Sequence, residues 1–330
     1  MNSETIVQRE VSSKEKVKVE PFLSFGNEDT IFVNGRVITS YTQKRPSSRN
    51  SWLKNIIASI RRYSVKTIPN ALVEIHLHDQ KLQVRTDEEG VFEKQIEVKN
   101  PYSVDRLEHV NFTVLEPEQK INSTWVTREV KRFSERQGVI SDIDDTVLIS
   151  HSTDIGKKFW LSISKNAYTR RPLPGVSEFY KELTRHKENP IFYVSSSDWS
   201  IYDLIRDFMR YRHIPMGPTL LKDKHLNLRN IWKSGHGNHN HKKDKIEFLF
   251  RFFPDMNFFL VGDSGQHDPE IYTEIMKKFP DRVTAVFIRL VDELDAKRKQ
   301  TLESQVSLEN FFFFKTSKEA LELAKENQFI

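Results

Sequence analysis

The sequence predicts two folds in tandem, a small all-β module followed by an α/β domain built on a parallel sheet. Three observations predict this. A chain of 330 residues is too long for one ordinary core and suits about two domains. Up to about residue 135 the apolar residues recur in short strand-like runs separated by turn residues. Beyond that point, runs of about four consecutive apolar residues alternate with amphipathic segments, as in a parallel sheet covered by helices on both faces.

The elements follow in order. Residues 1–25 are polar and charge-rich and read as a disordered tail. Residues 26–135 read as a β-sandwich-like accessory domain. Its strand candidates are Ile31 to Ile38, Ala71 to Leu77 with its period of two, Gln83 to Thr86, Val91 to Glu93, and Phe112 to Leu115. Asp87-Glu88-Glu89-Gly90 is a turn, with glycine where positive φ is easiest. Thr86-Asp87, Gly90 and Phe92 together resemble the transthyretin-like and carboxypeptidase-regulatory-like sandwiches. Near 51–63 a helical insertion places Trp52, Ile56, Ile60 and Tyr63 on one face, with Lys54, Arg61 and Arg62 away from its centre. That face suits either packing on the sandwich or contact with an anionic membrane.

Residues 136–330 form the α/β part. Strands are expected at Gly138 to Ser141, Ile191 to Val194, Phe258 to Val261, Val283 to Ile288 and Phe311 to Phe314. Helices are expected over Glu178 to Arg185, Ser200 to Tyr211, Lys242 to Phe252, Pro269 to Lys278 and Ser317 to Lys325.

Composition narrows the function. Lys and Arg number 51 against 46 Asp and Glu, a net charge of +5, which favours anionic partners such as phosphate esters or acidic lipid surfaces and does not point to nucleic acid. With no cysteine, disulfides, thiolate metal sites and cysteine nucleophiles are excluded. The polar start Met1-Asn2-Ser3-Glu4 has no apolar signal core behind it, and no stretch approaches about 18 apolar residues. The expectation is a cytoplasmic protein that meets any lipid at a membrane surface.

Ligands of an open parallel sheet bind beyond the carboxyl ends of its strands. Three strand ends carry polar residues there: Asp142, Asp144 and Asp145; Ser195, Ser196 and Ser197; and the string Gly262 to Asp268. Two carboxylates that share a pocket repel one another and call for a cation, and Mg²⁺ with its oxygen ligands suits them. Asp142 can attack phosphorus to form an aspartyl-phosphate. Asp144 can protonate the leaving oxygen and then deprotonate the hydrolytic water. Asp263 completes the metal shell, Ser195 can bind a phosphoryl oxygen, and a nearby lysine can neutralise it. An acidic pair at a strand end also serves as a helix cap, and Ser195 to Ser197 can cap the next helix while binding phosphate.

Asp142-x-Asp144-x-Thr146, Ser195, a lysine before a helix and Gly262-Asp263-x-x-x-x-Asp268 resemble the four motifs of the haloacid dehalogenase (HAD) phosphatase superfamily. Further strings resemble the catalytic domain of the actin-patch-protein-1 (App1) phosphatidate phosphatases. They are Pro190 to Ser197, Ile214 to Pro218, Leu221-Lys222-Asp223 and Gly262 to Tyr272, within a resemblance running from Val139 to Asp292. The resemblance implies a Rossmann-like HAD sheet with a small cap insertion, here Thr153 to Leu173, and Mg²⁺-dependent hydrolysis of phosphatidate to diacylglycerol and phosphate. It implies Asp142 as nucleophile and metal ligand, and Asp144 as acid/base with its carbonyl on Mg²⁺. Thr146 and Ser195 would hold the phosphoryl group, and Asp263 would be a metal ligand. Asp268 would support Asp263 or meet the metal itself. Lys242 stands at the family's lysine, with Lys243 and Lys245 close by, and His267 either orients Asp263 or the substrate or is structural. Asp198 departs from the family, which often has proline there.

Two alternatives stand beside that reading. The same site could serve a soluble phosphomonoester or a phosphoprotein, or the chain could be a non-catalytic membrane-binding scaffold. The run Gly235 to His241, rich in histidine and asparagine, reads as a solvated loop that presents Lys242 or as a transition-metal site. Oligomeric state leaves no mark on the sequence.

Overall fold

The computed structural model describes residues 16–40, 66–98, 107–116, 125–143, 174–199, 202–222, 240–291, 300 and 310–330. The 51–63 helix, the 153–173 cap, Asp144 and Thr146 lie outside these residues, as does all of the Gly235 to His241 run except Asn240 and His241. The fold is mixed α/β, and the chain divides into two compact units, Met1–Ser134 and Glu135–Ile330.

The first unit is all-β among its described residues. Its strands are β1 (Lys16–Pro21), β2 (Phe25–Gly26), β3 (Thr30–Ser40), β4 (Leu72–Leu77), β5 (Gln80–Arg85), β6 (Val91–Glu97), β7 (Leu107–Glu116) and β8 (Val126–Arg132). They hydrogen-bond in the order β1-β3-β2-β8-β7-β4-β5, with β6 paired to β3. Every pairing is antiparallel except β2 with β8. The 11-residue β3 pairs with β2 and β6 along its first half and with β1 along its second. Inward residues from β1, β3, β4, β6, β7 and β8 share one apolar cluster that includes Val33, Val73, Ile75, Phe92, Val110 and Phe112. The Asp87–Gly90 turn forms as its sequence predicts. The Asp87 carboxylate accepts from the Glu89 and Val91 amides (2.8 and 2.9 Å), and Gly90 adopts φ 73°.

Residues 16–25 correct the tail reading. Val17 and Val19 bury inward from β1 while Lys18 stays exposed, and Phe22 and Phe25 are also buried. Strand alternation hid this apolar face among charges. β8 was also missed, because an inward position carries Arg132 instead of an aliphatic residue. Arg132 is wholly buried and satisfied by the Asn27 carbonyl (2.9 Å), the Glu28 carbonyl and the Glu108 carboxylate (3.3 Å).

The second unit carries β9 (Gln137–Ser141), α1 (Val176–Leu183), β10 (Ile191–Asp198), α2 (Tyr202–Tyr211), β11 (Thr219–Lys222), α3 (Asn240–Phe252), β12 (Asn257–Asp263), α4 (Asp268–Lys278), β13 (Val283–Arg289), β14 (Phe311–Phe314) and α5 (Ser317–Glu326). All six strands are parallel, in the order β11-β10-β9-β12-β13-β14. The five expected strands and the helices that follow them are present, with ends shifted by a few residues. β11 is the addition. Its four residues are too few for a periodic signal.

Adjacent residues of a strand face opposite sides of its sheet, which assigns the helices. Phe258 meets Phe250 of α3 (ring centroids 4.9 Å apart). Phe259 meets Phe287, which meets Phe179 of α1 (6.3 and 5.5 Å). Helices α1 and α3 therefore cover opposite faces. The chain starts at β9 in the middle, steps outward through β10 and β11, then returns to the other side of β9 with β12. This reversal opens a crevice at the carboxyl end of β9, where open α/β sheets bind ligands.

The β10–β11 junction depends on Gly217. A Cβ there would collide with the Ile191 carbonyl oxygen, while Tyr193 binds across to the Pro218 and Pro215 carbonyls (2.8 Å each). Gly217→Ala should destabilise the second unit by about 3 kcal/mol, the cost of overpacking against rigid backbone. Urea unfolding followed by tryptophan fluorescence would register it as a lower midpoint at unchanged slope.

Candidate active site at the carboxyl end of the parallel sheet

Register brings the polar strand ends together. Ser141, the last residue of β9, pairs with Tyr193 of β10 and with Val261 of β12. Asp142 lies one residue beyond this level, and Ser195 and Asp263 lie two beyond it on the flanking strands. All three side chains are wholly buried. The Asp142 amide donates to the Val261 carbonyl (2.8 Å), so the chain leaving β9 still follows β12 where the carboxylate emerges.

Two helix starts complete the cluster. Lys242, in the first turn of α3, is 3% exposed, and its Nζ lies 2.9 Å from Asp142 Oδ1 and also pairs with Asp268. Asp268 opens α4 and is wholly buried, and its other carboxylate oxygen accepts from the Asp263 amide (3.1 Å). The Asp263 carboxylate accepts from the Gly265 and Gln266 amides (2.6 and 3.1 Å), which closes the turn between β12 and α4. Gly262 permits this packing. A Cβ there would fall 2.5 Å from Asp268 Oδ2.

Oxygen atoms of Asp142, Asp263 and Asp268 all lie within 4.8 Å of one another. Among the described residues, three buried carboxylates gather at one ammonium, and burial screens their mutual repulsion poorly. The donors are all hard oxygens, the set that suits a hard divalent cation. The triad can therefore hold a metal ion. Burial alone would lower the Lys242 pKa, but Asp142 and Asp268 outweigh it, with Asp263 adding to them, and hold the ammonium above its ordinary value. Its contribution to stability is complete below pH 10.5 and is lost only as pH rises beyond that through the raised folded value.

The other candidates divide. Lys243 pairs with Glu274 on α4, Lys245 is half-buried along α3, and the exposed His267 is the residue before α4. Asp268, expected either to support Asp263 or to meet the metal itself, joins Lys242 to the Asp263 amide. Sequence reasoning gave no role to the hydroxyls of Ser141, Tyr180 and Tyr272. The Ser141 hydroxyl donates to the Asp142 carbonyl (2.7 Å) and lies 2.5 Å from the Tyr180 hydroxyl, and Tyr272 donates to the Val261 carbonyl (3.0 Å). The tyrosines come from helices distant in sequence, so no spacing links them to Asp142.

Comparison with known proteins decides the kinship of this region. Residues 137–290 match the family described as phosphatidate phosphatase APP1, catalytic domain. These residues carry an App1-type catalytic domain. It begins at the first residue of β9 and ends just past β13, so it spans the whole cluster. The chain is 32% identical over 152 residues to phosphatidate phosphatase APP1 of Saccharomyces cerevisiae, covering 46% of this chain and 25% of that protein. It is 28% identical over 170 residues to the uncharacterized protein C29B5.04c of Schizosaccharomyces pombe, covering 50% and 27%. The chain thus spans about a quarter of the length of these curated relatives. A carbohydrate acetylesterase from Xanthomonas citri aligns at TM-score 0.26 and 10% identity, covering 81% of this chain and 66% of that one, too slight a likeness to argue from.

A divalent cation held by the triad should stabilise the App1-type domain by about 2.7 kcal/mol at a hundred times its Kd. Thermal unfolding with and without Mg²⁺ or Mn²⁺ measures this. Asp263→Asn should lose most of the gain, and a gain undiminished in that variant would place the ion elsewhere.

Proposed function

We propose that this protein is a Mg²⁺-dependent phosphatase that hydrolyses phosphatidate to diacylglycerol and phosphate through an aspartyl-phosphate on Asp142. The single observation that carries the reading is the buried contact of Lys242 with Asp142 and Asp268, with Asp263 alongside, at the reversal point of a parallel sheet. It is supported by the match to the catalytic domain of a relative named as a phosphatidate phosphatase. On this reading the second unit is a Rossmann-like HAD domain over 136–330. The first is an accessory β-sandwich that begins at about Lys16 rather than residue 26.

The chemistry divides among this chain's own groups. The Asp142 carboxylate attacks phosphorus, and the phosphorus–oxygen bond to the glycerol breaks. Asp144 gives its proton to the departing glycerol oxygen, then takes one from the water that attacks the aspartyl-phosphate, so free phosphate leaves and the Asp142 carboxylate is restored. Lys242 balances charge on the phosphoryl oxygens, and Ser195 and Thr146 hydrogen-bond them. Asp142, Asp263 and the Asp144 carbonyl, with Asp268 in support, would hold Mg²⁺, which when bound would stabilise negative charge on the phosphoryl group. The lysine's charge and the three acids' negative charge belong together: the ammonium alone cannot neutralise the carboxylates and an incoming phosphate as well.

Among the described residues no helix is long and apolar enough to cross a membrane. On the proposed reading a lipid substrate is met at a membrane surface by a cytoplasmic enzyme, with nucleic acid playing no part.

Asp142→Asn should lower Mg²⁺-dependent phosphate release from a chromogenic monoester on the order of 10⁴-fold, because it removes the nucleophile. Residual turnover within tenfold of wild type would remove Asp142 from that role. In a substrate panel, kcat/KM for phosphatidate in mixed micelles should exceed that for soluble sugar phosphates and phosphopeptides. The reverse order, by orders of magnitude, would make this a soluble-ester phosphatase with the same site.

A further inference from the structure

The two groups that hydrogen-bond the main chain of Asp142, the Ser141 hydroxyl and the Val261 carbonyl, are each held in turn by a buried tyrosine, one on either face of the sheet. On the α1 face, the Ser141 hydroxyl donates its one proton to the Asp142 carbonyl (2.7 Å), which can only accept. The 2.5 Å contact with Tyr180 must then run the other way, with the phenol donating to Ser141 Oγ. Tyr180 and Ser141 are both wholly buried, so water does not compete for either bond. Across the sheet, the Val261 carbonyl accepts from the Asp142 amide (2.8 Å) and from the Tyr272 hydroxyl (3.0 Å), also at a wholly buried side chain. The carbonyl of Asp142 is thus bound by a hydroxyl that a tyrosine holds, and its amide by a carbonyl that a second tyrosine holds.

We propose that Tyr180, acting through Ser141, is a positioning residue that sets the peptide between Asp142 and Ile143 for in-line attack. A planar trans peptide points its N–H away from its C=O. With the Asp142 carbonyl drawn toward Ser141 and Tyr180 on the α1 face, the Ile143 N–H is turned toward the opposite side, where the Asp142 carboxylate meets Lys242 of α3. A phosphoryl group docked on that side meets a donor and a nucleophile whose relative angle is fixed before it arrives. Preorganisation of this kind acts on the chemical step more than on binding. This inference rests on the proposed phosphatase reading.

The test uses the full chain with Tyr180→Phe, Ser141→Ala and Ser141→Thr. Each of the first two should keep a wild-type circular dichroism spectrum, leave KM for a chromogenic monoester within twofold and lower kcat about tenfold, one hydrogen bond's worth of alignment. The double variant should be no slower than the slower single, since the two hydroxyls act as one chain. Ser141→Thr, which restores a hydroxyl, should recover most of kcat. Equal kcat in well-folded Tyr180→Phe, or additive losses in the double variant, would overturn the proposal. Should Tyr180→Phe fail to fold, Ser141→Ala removes the same link with less disturbance. A second measurement separates this inference from the phosphatase reading. Beryllium trifluoride, which bonds to a well-placed aspartate as a phosphoryl mimic, is titrated with Mg²⁺ and followed by ¹⁹F NMR. Binding weakened about tenfold in Tyr180→Phe upholds the inference even if no ester is turned over. Equal binding in wild type and variant defeats the inference alone, whereas no binding in wild type defeats the phosphatase reading and the inference with it.

Discussion

Three carboxylates gathered within 4.8 Å around one ammonium are the constraint on which the second unit depends. Buried like charges repel strongly where little water screens them, so the surrounding fold must hold them rigidly. The parallel register of β9, β10 and β12 fixes where the strand ends emerge. Backbone amides at Asp263, Gly265 and Gln266 absorb part of the charge, and Gly262 leaves room for Asp268 to approach. Two cross-links between α3 and α4, Lys243 with Glu274 and Lys278 with Glu247, tie together the helices that carry Lys242 and Asp268.

The first unit solves a similar problem differently. Its buried Arg132 donates to the Glu108 carboxylate and to the Asn27 and Glu28 carbonyls, while the His78 ring donates to the other Glu108 oxygen (2.8 Å). The buried guanidinium is met by a carboxylate and by carbonyl oxygens, as a buried charge usually must be. At the end of β9, among the described residues, three carboxylates share one ammonium. That contrast distinguishes a buried charge that maintains a fold from a set of charges suited to bind something further.

Much of this was legible in the sequence because physics writes it locally. Val139-Ile140, Ile191 to Val194 and Phe258 to Val261 are buried on both faces, so they read as unbroken apolar runs. Asp142, Ser195 and Asp263 follow those runs directly, which makes strand ends and site residues a single signal. What escaped was non-local or masked. β1 hides Val17 and Val19 between charges, and β11 is only four residues long. Ser141 looked like the last residue of a strand, and Tyr180 and Tyr272 like ordinary core aromatics. Their role depends on hydroxyl groups that meet the Asp142 backbone only after the helices pack on the sheet.

The most direct test of the account is to trap the intermediate. Asp144 serves both steps, so the wild-type enzyme is used: phosphatidate labelled in its phosphate is mixed with enzyme and Mg²⁺, and the reaction is quenched in acid within the first turnover. The account predicts label bound to protein, labile to hydroxylamine and mapped to Asp142. Phosphate released with no labelled protein at any time, or label mapped to another residue, would contradict it.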